Sequence, residues 1–170
     1  SLIKWCDLNS MNINANKTRE MVVCFGKNVA VSALPALKCG SDVIQRVMSF
    51  KLLGIYFNSE LTWEDHVEYI LKKVAKRIYF IHLLKRSGVN VLDIVTVYCS
   101  IIRSILEYAS PVWHPGLTKA ESTNIENVKV RCLKIIFLSV TYSETLSITG
   151  LERLSDRRID ASRRIFNAMK

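Results

Sequence analysis

The chain has 170 residues, 49% of them apolar and 23% charged, and 24 Lys and Arg against 15 Asp and Glu leave a net charge of +9. This is the composition of one ordinary globular domain with a real core, which excludes a disordered chain and a small scaffold that depends on disulfides or a metal. The basic excess runs along the whole chain and favours a polyanion over an acidic partner, although many merely soluble domains are basic too.

No run approaches the ~18 uncharged apolar residues of a membrane span, and Ser1-Leu2-Ile3-Lys4 does not begin a signal peptide. With no initiator Met, the sequence is expected to be the interior or tail of something longer. Residues 2–11 read as the end of a helix, and the Asn-rich stretch from Met11 to Asn16 as a turn. Glu20 to Phe25 is a short apolar run stopped by Gly26, which predicts a strand. Ala36–Cys39 and Val43–Val47 flank Gly40-Ser41-Asp42, a hairpin signal. Phe50–Phe57 reads as one further strand, with Gly54 inside it marking a bulge or a close backbone approach.

Beyond residue 60 the segments become long and helically periodic. Thr62, Asn90 and Thr118 each stand three residues before an acid (Asp65, Asp93 and Glu121), the pattern of a helix start. In the second of these helices Thr96, Ser100, Arg103 and Glu107 form one polar stripe, and nearly all the rest is apolar, so it is expected to pack on two or three sides. Ile125, Val128, Cys132, Leu133, Ile135 and Ile136 share a face of the third. Ser143 to Thr149 predicts a short helix ended by Gly150, and a basic helix follows Leu151. The fold class expected is α+β: short antiparallel strands followed by a helical bundle.

Chemistry-bearing motifs are scarce. The sequence has no G-x-S-x-G, no phosphate-binding Gly-rich loop and no H-E-x-x-H. Cys6, Cys24, Cys39, Cys99 and Cys132 are widely scattered, which excludes zinc spacing and predicts reduced, mostly buried thiols in an intracellular protein. His66, His82 and His114 are equally scattered and read as structural. Glu64-Asp65 is explained by the first turn of a helix.

The basic residues say more. Lys72, Lys73, Lys76, Arg77, Lys85 and Arg86 lie between Leu71 and Leu92 with no acid among them. Val67, Ile70, Leu71, Val74, Ile78 and Ile81 share one sector of that helix. Lys72, Lys73, Lys76 and Arg77 fall opposite, with Phe80 among them. Such a face can follow a phosphate backbone; a solvated face with Phe80 packed under a neighbouring element fits the same pattern. Arg153, Arg157, Arg158, Arg163 and Arg164, interleaved with Glu152, Asp156 and Asp160, read instead as a salt-bridged structural helix.

Four blocks in order carry a resemblance. Asn14-Ala15-Asn16-Lys17-Thr18-Arg19-Glu20-Met21 resembles the N-x-x-K-T-x-x-M signature of reverse transcriptases from retrotransposons without long terminal repeats. Phe50–Ile55 followed by Leu61-Thr62-Trp63-Glu64-Asp65-His66-Val67, then Ile102–Trp113, then Arg131–Ile136, look like successive blocks of the same family, the jockey-like LINE elements, and together span most of residues 5–165. The resemblance implies the C-terminal part of an RNA-directed DNA polymerase. Residues 1–60 would be the end of the palm with motif D and a primer-grip hairpin including Leu52, Leu53 and Gly54. Residues 61–170 would be the helical thumb and connection. It implies a template–primer duplex as partner, together with upstream palm and fingers; the basic face, with Lys72, Lys73, Lys76, Arg77, Phe80, Lys85 and Arg86, is the surface expected to meet that duplex. It also implies Lys17 as a motif D general acid. The family's nucleotidyl transfer uses Mg²⁺ held by palm aspartates. The A-D-D turn that carries them is missing here, and Asp7, Asp42 and Asp65 do not replace it, so this chain alone is expected to be inactive and to hold no metal. The alternatives left open are a non-catalytic nucleic-acid-binding module derived from a retroelement and a helical interaction protein.

Overall fold

The computed structural model describes residues 2–25 and 34–169, and is α+β. The chain divides into two compact units, residues 1–62 and 63–170.

Among the described residues, the first unit opens with α1 (Leu2–Leu8) and a 3₁₀ turn (Ala15–Lys17), followed by six short strands. The strands are β1 (Arg19–Glu20), β2 (Lys38–Cys39), β3 (Asp42–Val43), β4 (Gln45–Arg46), β5 (Ser49–Leu52) and β6 (Ile55–Asn58). They make three two-stranded pieces: β1 with β4, β2 with β3, and β5 with β6. The hairpin expected at Gly40 is present, with Lys38 opposite Val43. Two expectations are corrected. Residues 21–25 carry no strand; Glu20 instead ends β1, which pairs parallel, not antiparallel, with β4. The pairing is fastened by side chains: Arg46 donates Nε to Glu20 Oε2 and Nη2 to Glu20 Oε1, both at 3.0 Å. That guanidinium holds the Glu20 carboxyl below the usual carboxylate range. Gly26, expected to stop the run, lies outside the described residues.

The 50–57 run is likewise two strands, not one. β5 and β6 pair antiparallel with Phe50 opposite Phe57 and Lys51 opposite Tyr56. Leu53 and Gly54 form the turn, both at positive φ (48° and 86°), the combination a two-residue type I′ hairpin demands. Gly54 therefore makes a turn and not a bulge.

The second unit is helical. α2 (Glu64–Arg86) packs along α6 (Lys119–Ile136). His66, Val67, Ile70, Val74, Ile78 and Ile81 form its buried stripe, at helical spacing. Acids at its first turn and Lys85 and Arg86 at its last complement the helix dipole. Thr62 does not cap it: Asn58 engages Thr62, accepting from its N–H at 2.9 Å and donating to its hydroxyl at 2.7 Å, and α2 begins at Glu64 without a side-chain cap. Asn90 does cap α3 (Val91–Val97), accepting from Leu92 N at 2.9 Å. Thr118 and Glu121 form a full capping box on α6, and Thr141 and Glu144 form a second on α7 (Tyr142–Thr149), which Gly150 ends at φ 65°.

Between α3 and α4 (Ser104–Glu107) the helix widens to a π segment, Tyr98–Arg103. Thr96, Ser100 and Ser104 each return their hydroxyl to the carbonyl four residues back, at 3.1, 2.9 and 2.5 Å. Such back-bonding competes with the amide ladder and loosens it. α5 (Ser110–Trp113) then brings Trp113 into the core, and α8 (Leu154–Ala168) closes the unit against it. Two cysteines of five, Cys6 and Cys132, are buried; Cys24, Cys39 and Cys99 are half-buried, which corrects the expectation of mostly buried thiols, and all five are free.

Charges also enter this core. Lys129 is buried and its amine donates to the Glu152 carbonyl. Beside it, Glu126 accepts from the Tyr142 hydroxyl and, at 3.0 Å, from Leu154 N, fixing the start of α8. Arg158 is fully buried, over the Trp113 ring, and donates to Ser122 Oγ at 3.0 Å.

Candidate nucleic-acid interface

The buried stripe of α2 fixes which side chains face outward. Taking Lys72 as origin at ~100° per residue, Tyr79 and Leu83 fall within ~20° of it, and Lys76 and Arg86 within ~40°. Phe80 and Lys73 follow at ~80° and ~100°. All of these side chains are exposed, Tyr79 by 64%, Phe80 by 51% and Leu83 by 46%. Phe80 is therefore not packed under a neighbour. Its ring meets Tyr79 edge to face, centroids 6.3 Å apart. Sequence reasoning found Phe80 but missed Tyr79 and Leu83, which the same angular count places in the middle of the basic stripe.

The basic residues are not equivalent. Lys72 pairs with Glu68 one turn earlier, both exposed. The Lys73 amine stands 5.8 Å from the Tyr69 ring centroid. Lys76 has no ion-pair partner among the described residues. Arg77 lies ~140° from Lys72. It is half-buried and directs Nη1 to the Ile101 carbonyl of the π segment at 3.4 Å. Lys85 is committed to the Ile136 carbonyl at 2.8 Å, and so caps the end of α6. The free positive charge of this face thus sits on Lys73, Lys76 and Arg86, with Lys72 shared.

Arg157 and Arg158 of α8 are built into the bundle, whereas Arg163 and Arg164 are exposed. Arg157 meets Glu107 at two points, Nε–Oε1 2.6 Å and Nη2–Oε2 3.1 Å, and Glu152 at 3.5 Å. The Glu107 bond raises the Arg157 pKa further. This matches the structural, salt-bridged reading of the helix; Arg163 pairs with Asp160 at 3.6 Å.

In the first unit, Asn14 caps the turn that carries Lys17, accepting from Lys17 N at 3.1 Å. Thr18 Oγ1 donates to the Asn14 carbonyl at 2.9 Å, so the Asn and Thr of that block build the turn and leave Lys17 at its end. Leu52, Leu53 and Gly54 form the tip of the β5–β6 hairpin, with Leu53 82% exposed. Among the described residues no three His, Cys, Asp or Glu side chains are grouped to hold a metal ion. No helix among them is long and apolar enough to cross a membrane. Comparison with protein-family models, curated proteins and solved structures gives no match.

Proposed function

We propose that the chain is the C-terminal part of a reverse transcriptase from a retrotransposon without long terminal repeats, and that it holds a template–primer duplex. On this reading residues 1–60 are the end of the palm with its primer-grip hairpin, and residues 61–170 are thumb and connection. The observation that carries the binding role is the outward stripe of α2, where Lys72, Lys73 and Lys76 surround an exposed aromatic pair. Cations on successive turns can track a phosphate backbone, which sequence-independent binding needs.

The test is duplex binding against salt. Replacing Lys72, Lys73 and Lys76 together by Ala should weaken binding to RNA–DNA hybrids of any sequence. Each lost phosphate contact should flatten the slope of log affinity against log salt by about 0.9 if a hybrid behaves as B-form DNA. Arg163 and Arg164 replaced by Ala are the control for bulk charge; equal losses from both sets would refute a defined face. The chain lacks the aspartate turn of a polymerase, so primer extension with Mg²⁺ and all four nucleotides should stay at the level of a no-protein control.

A second reading, a helical interaction protein, draws on the same stripe: Tyr79, Phe80 and Leu83 expose contiguous apolar surface, as protein-docking faces do. Failure to bind any duplex at low salt would favour it.

A further inference from the structure

The stripe on α2 leads into a second feature. The last turns of α2 and the outer side of α6 enclose a cleft of about 470 Å³, within the range of a small-ligand site. Lys85 and Arg86 stand on one wall, Arg131 and Lys134 on the other. No carboxylate lines it among the described residues, and Arg86, Arg131 and Lys134 form no ion pair there. Its floor is apolar, made by Val130, Ile135 and Leu138, the last 79% exposed. His82 and Asn127 sit at its edges.

Two properties of the cleft must be met by one ligand. Cations without an acid select an anion, and with Lys85 already held by the Ile136 carbonyl at 2.8 Å, Arg86, Arg131 and Lys134 are the ones left to meet it. An apolar floor gains nothing from phosphate but does gain from a flat, unpaired base. A duplex hides its base faces; a single strand does not. Position adds a third constraint. Arg86 belongs both to the cleft and to the outward stripe. At the rise of an α-helix it lies about 15 Å beyond Lys76 along the axis.

Resting on the duplex-holding reading above, we propose that the α2–α6 cleft receives an unpaired nucleotide of the single strand where it leaves the duplex. Its phosphate meets Arg86, Arg131 and Lys134. Its base lies on Val130, Ile135 and Leu138, and Asn127 and His82 offer polar groups to its edge.

Fluorescence anisotropy with the full chain tests this, using a labelled hybrid either blunt or carrying a short single-stranded overhang. The overhang should tighten binding by about tenfold, the scale of one stacked base. Arg131→Ala with Lys134→Ala should abolish that gain and leave the blunt hybrid bound nearly as before. Leu138→Ser, which keeps every charge and alters an exposed side chain, should also reduce it. Equal affinity for blunt and overhanging hybrids, or a gain untouched by Leu138→Ser, would overturn the proposal. So would removal of the gain by sub-millimolar nucleoside monophosphate, which would make the cleft a site for free nucleotides. If the blunt hybrid binds through Lys72, Lys73 and Lys76 but the overhang adds nothing, the cleft assignment alone fails. If no hybrid binds at all, the duplex reading fails with it.

Discussion

The imidazole of His66 lies 5.3 Å, centroid to centroid, from the indole of Trp113, tilted by 59°. Trp63 meets the same imidazole edge-on at 6.5 Å. Burial lowers the His66 pKa from 6.5 to about 4, because a charged ring would lose its hydration there. Folding thus favours the neutral ring. Between about pH 6.5 and pH 4 the unfolded chain binds a proton that the folded chain refuses, so stability falls as pH drops through that window. The loss from this ring should reach roughly 2 kcal/mol by pH 4.5. Urea titrations at pH 7 and pH 4.5 measure it. His66→Phe keeps an aromatic ring on Trp113 and should remove most of that difference. A smaller acid slope should persist from His114, whose pKa is lowered by burial and by Arg158. An unchanged difference in the variant would place the acid sensitivity elsewhere.

Gly116 touches the other side of this cluster. A Cβ on it would run into the Trp63 indole, meeting Cδ1 at 2.8 Å as well as Nε1. Gly116→Ala should therefore cost about 1–3 kcal/mol, as overpacking does. Trp63→Ala removes the obstacle. In the double variant the Gly116→Ala cost should largely vanish, which a double-mutant cycle reads directly. Full additivity would show that the two residues do not interfere.

Tyr98 is fully buried at the start of the π segment, and its hydroxyl has no hydrogen-bond partner among the described residues. Desolvation drives its pKa upward. A buried hydroxyl without a partner costs about 1–3 kcal/mol. Tyr98→Phe should accordingly leave the denaturation midpoint unchanged or raise it. A loss above about 1 kcal/mol would reveal a bond worth keeping.

Leu53 holds φ 48° while exposing 82% of its surface. A left-handed Leu costs about 1–2 kcal/mol, whereas Asn tolerates that conformation and Asn-Gly is the preferred type I′ pair. Leu53→Asn should stabilise the hairpin by about 0.5–1 kcal/mol, seen as slower amide exchange in β5 and β6. Leu53→Ala, equally disfavoured at positive φ, should give no such gain. A strained, exposed Leu at a hairpin tip is the pattern of a contact residue. On that basis Leu53→Asn should weaken hybrid binding while it slows exchange; unchanged binding would leave the side chain without a contact role.

What could be read from the sequence was mostly local. Thr118 and Glu121 announce their box because both partners lie within one turn, and Gly40 announces its hairpin for the same reason. Thr62 carries the same signal, but Asn58 takes its hydroxyl first. The turn at Leu53 was hidden because Leu has no turn signature. The β1–β4 pairing was hidden because its two strands are far apart in the chain, with β2 and β3 between them. Helical angles identified Lys72, Lys73 and Lys76 correctly as outward. Arg77 sits at the margin of that sector, and only the position of the Ile101 carbonyl decides its direction. The cleft escaped notice because its walls come from two helices, each with only part of the basic ring. Nothing in the sequence marks Lys129 or Arg158 as buried, since their partners are placed by tertiary packing.

Lys129 also makes the bundle chemically readable. Desolvation lowers the pKa of its amine, yet the group is shut from solvent and tied to the carbonyl that leads into α8. An acylating reagent can reach it only when that join lifts. Lys73 and Lys76 on the outer surface should be labelled almost at once, and Lys129 only at the rate of that opening. Mass spectrometry of timed acylation would therefore turn one interior lysine into a clock for the release of the last helix.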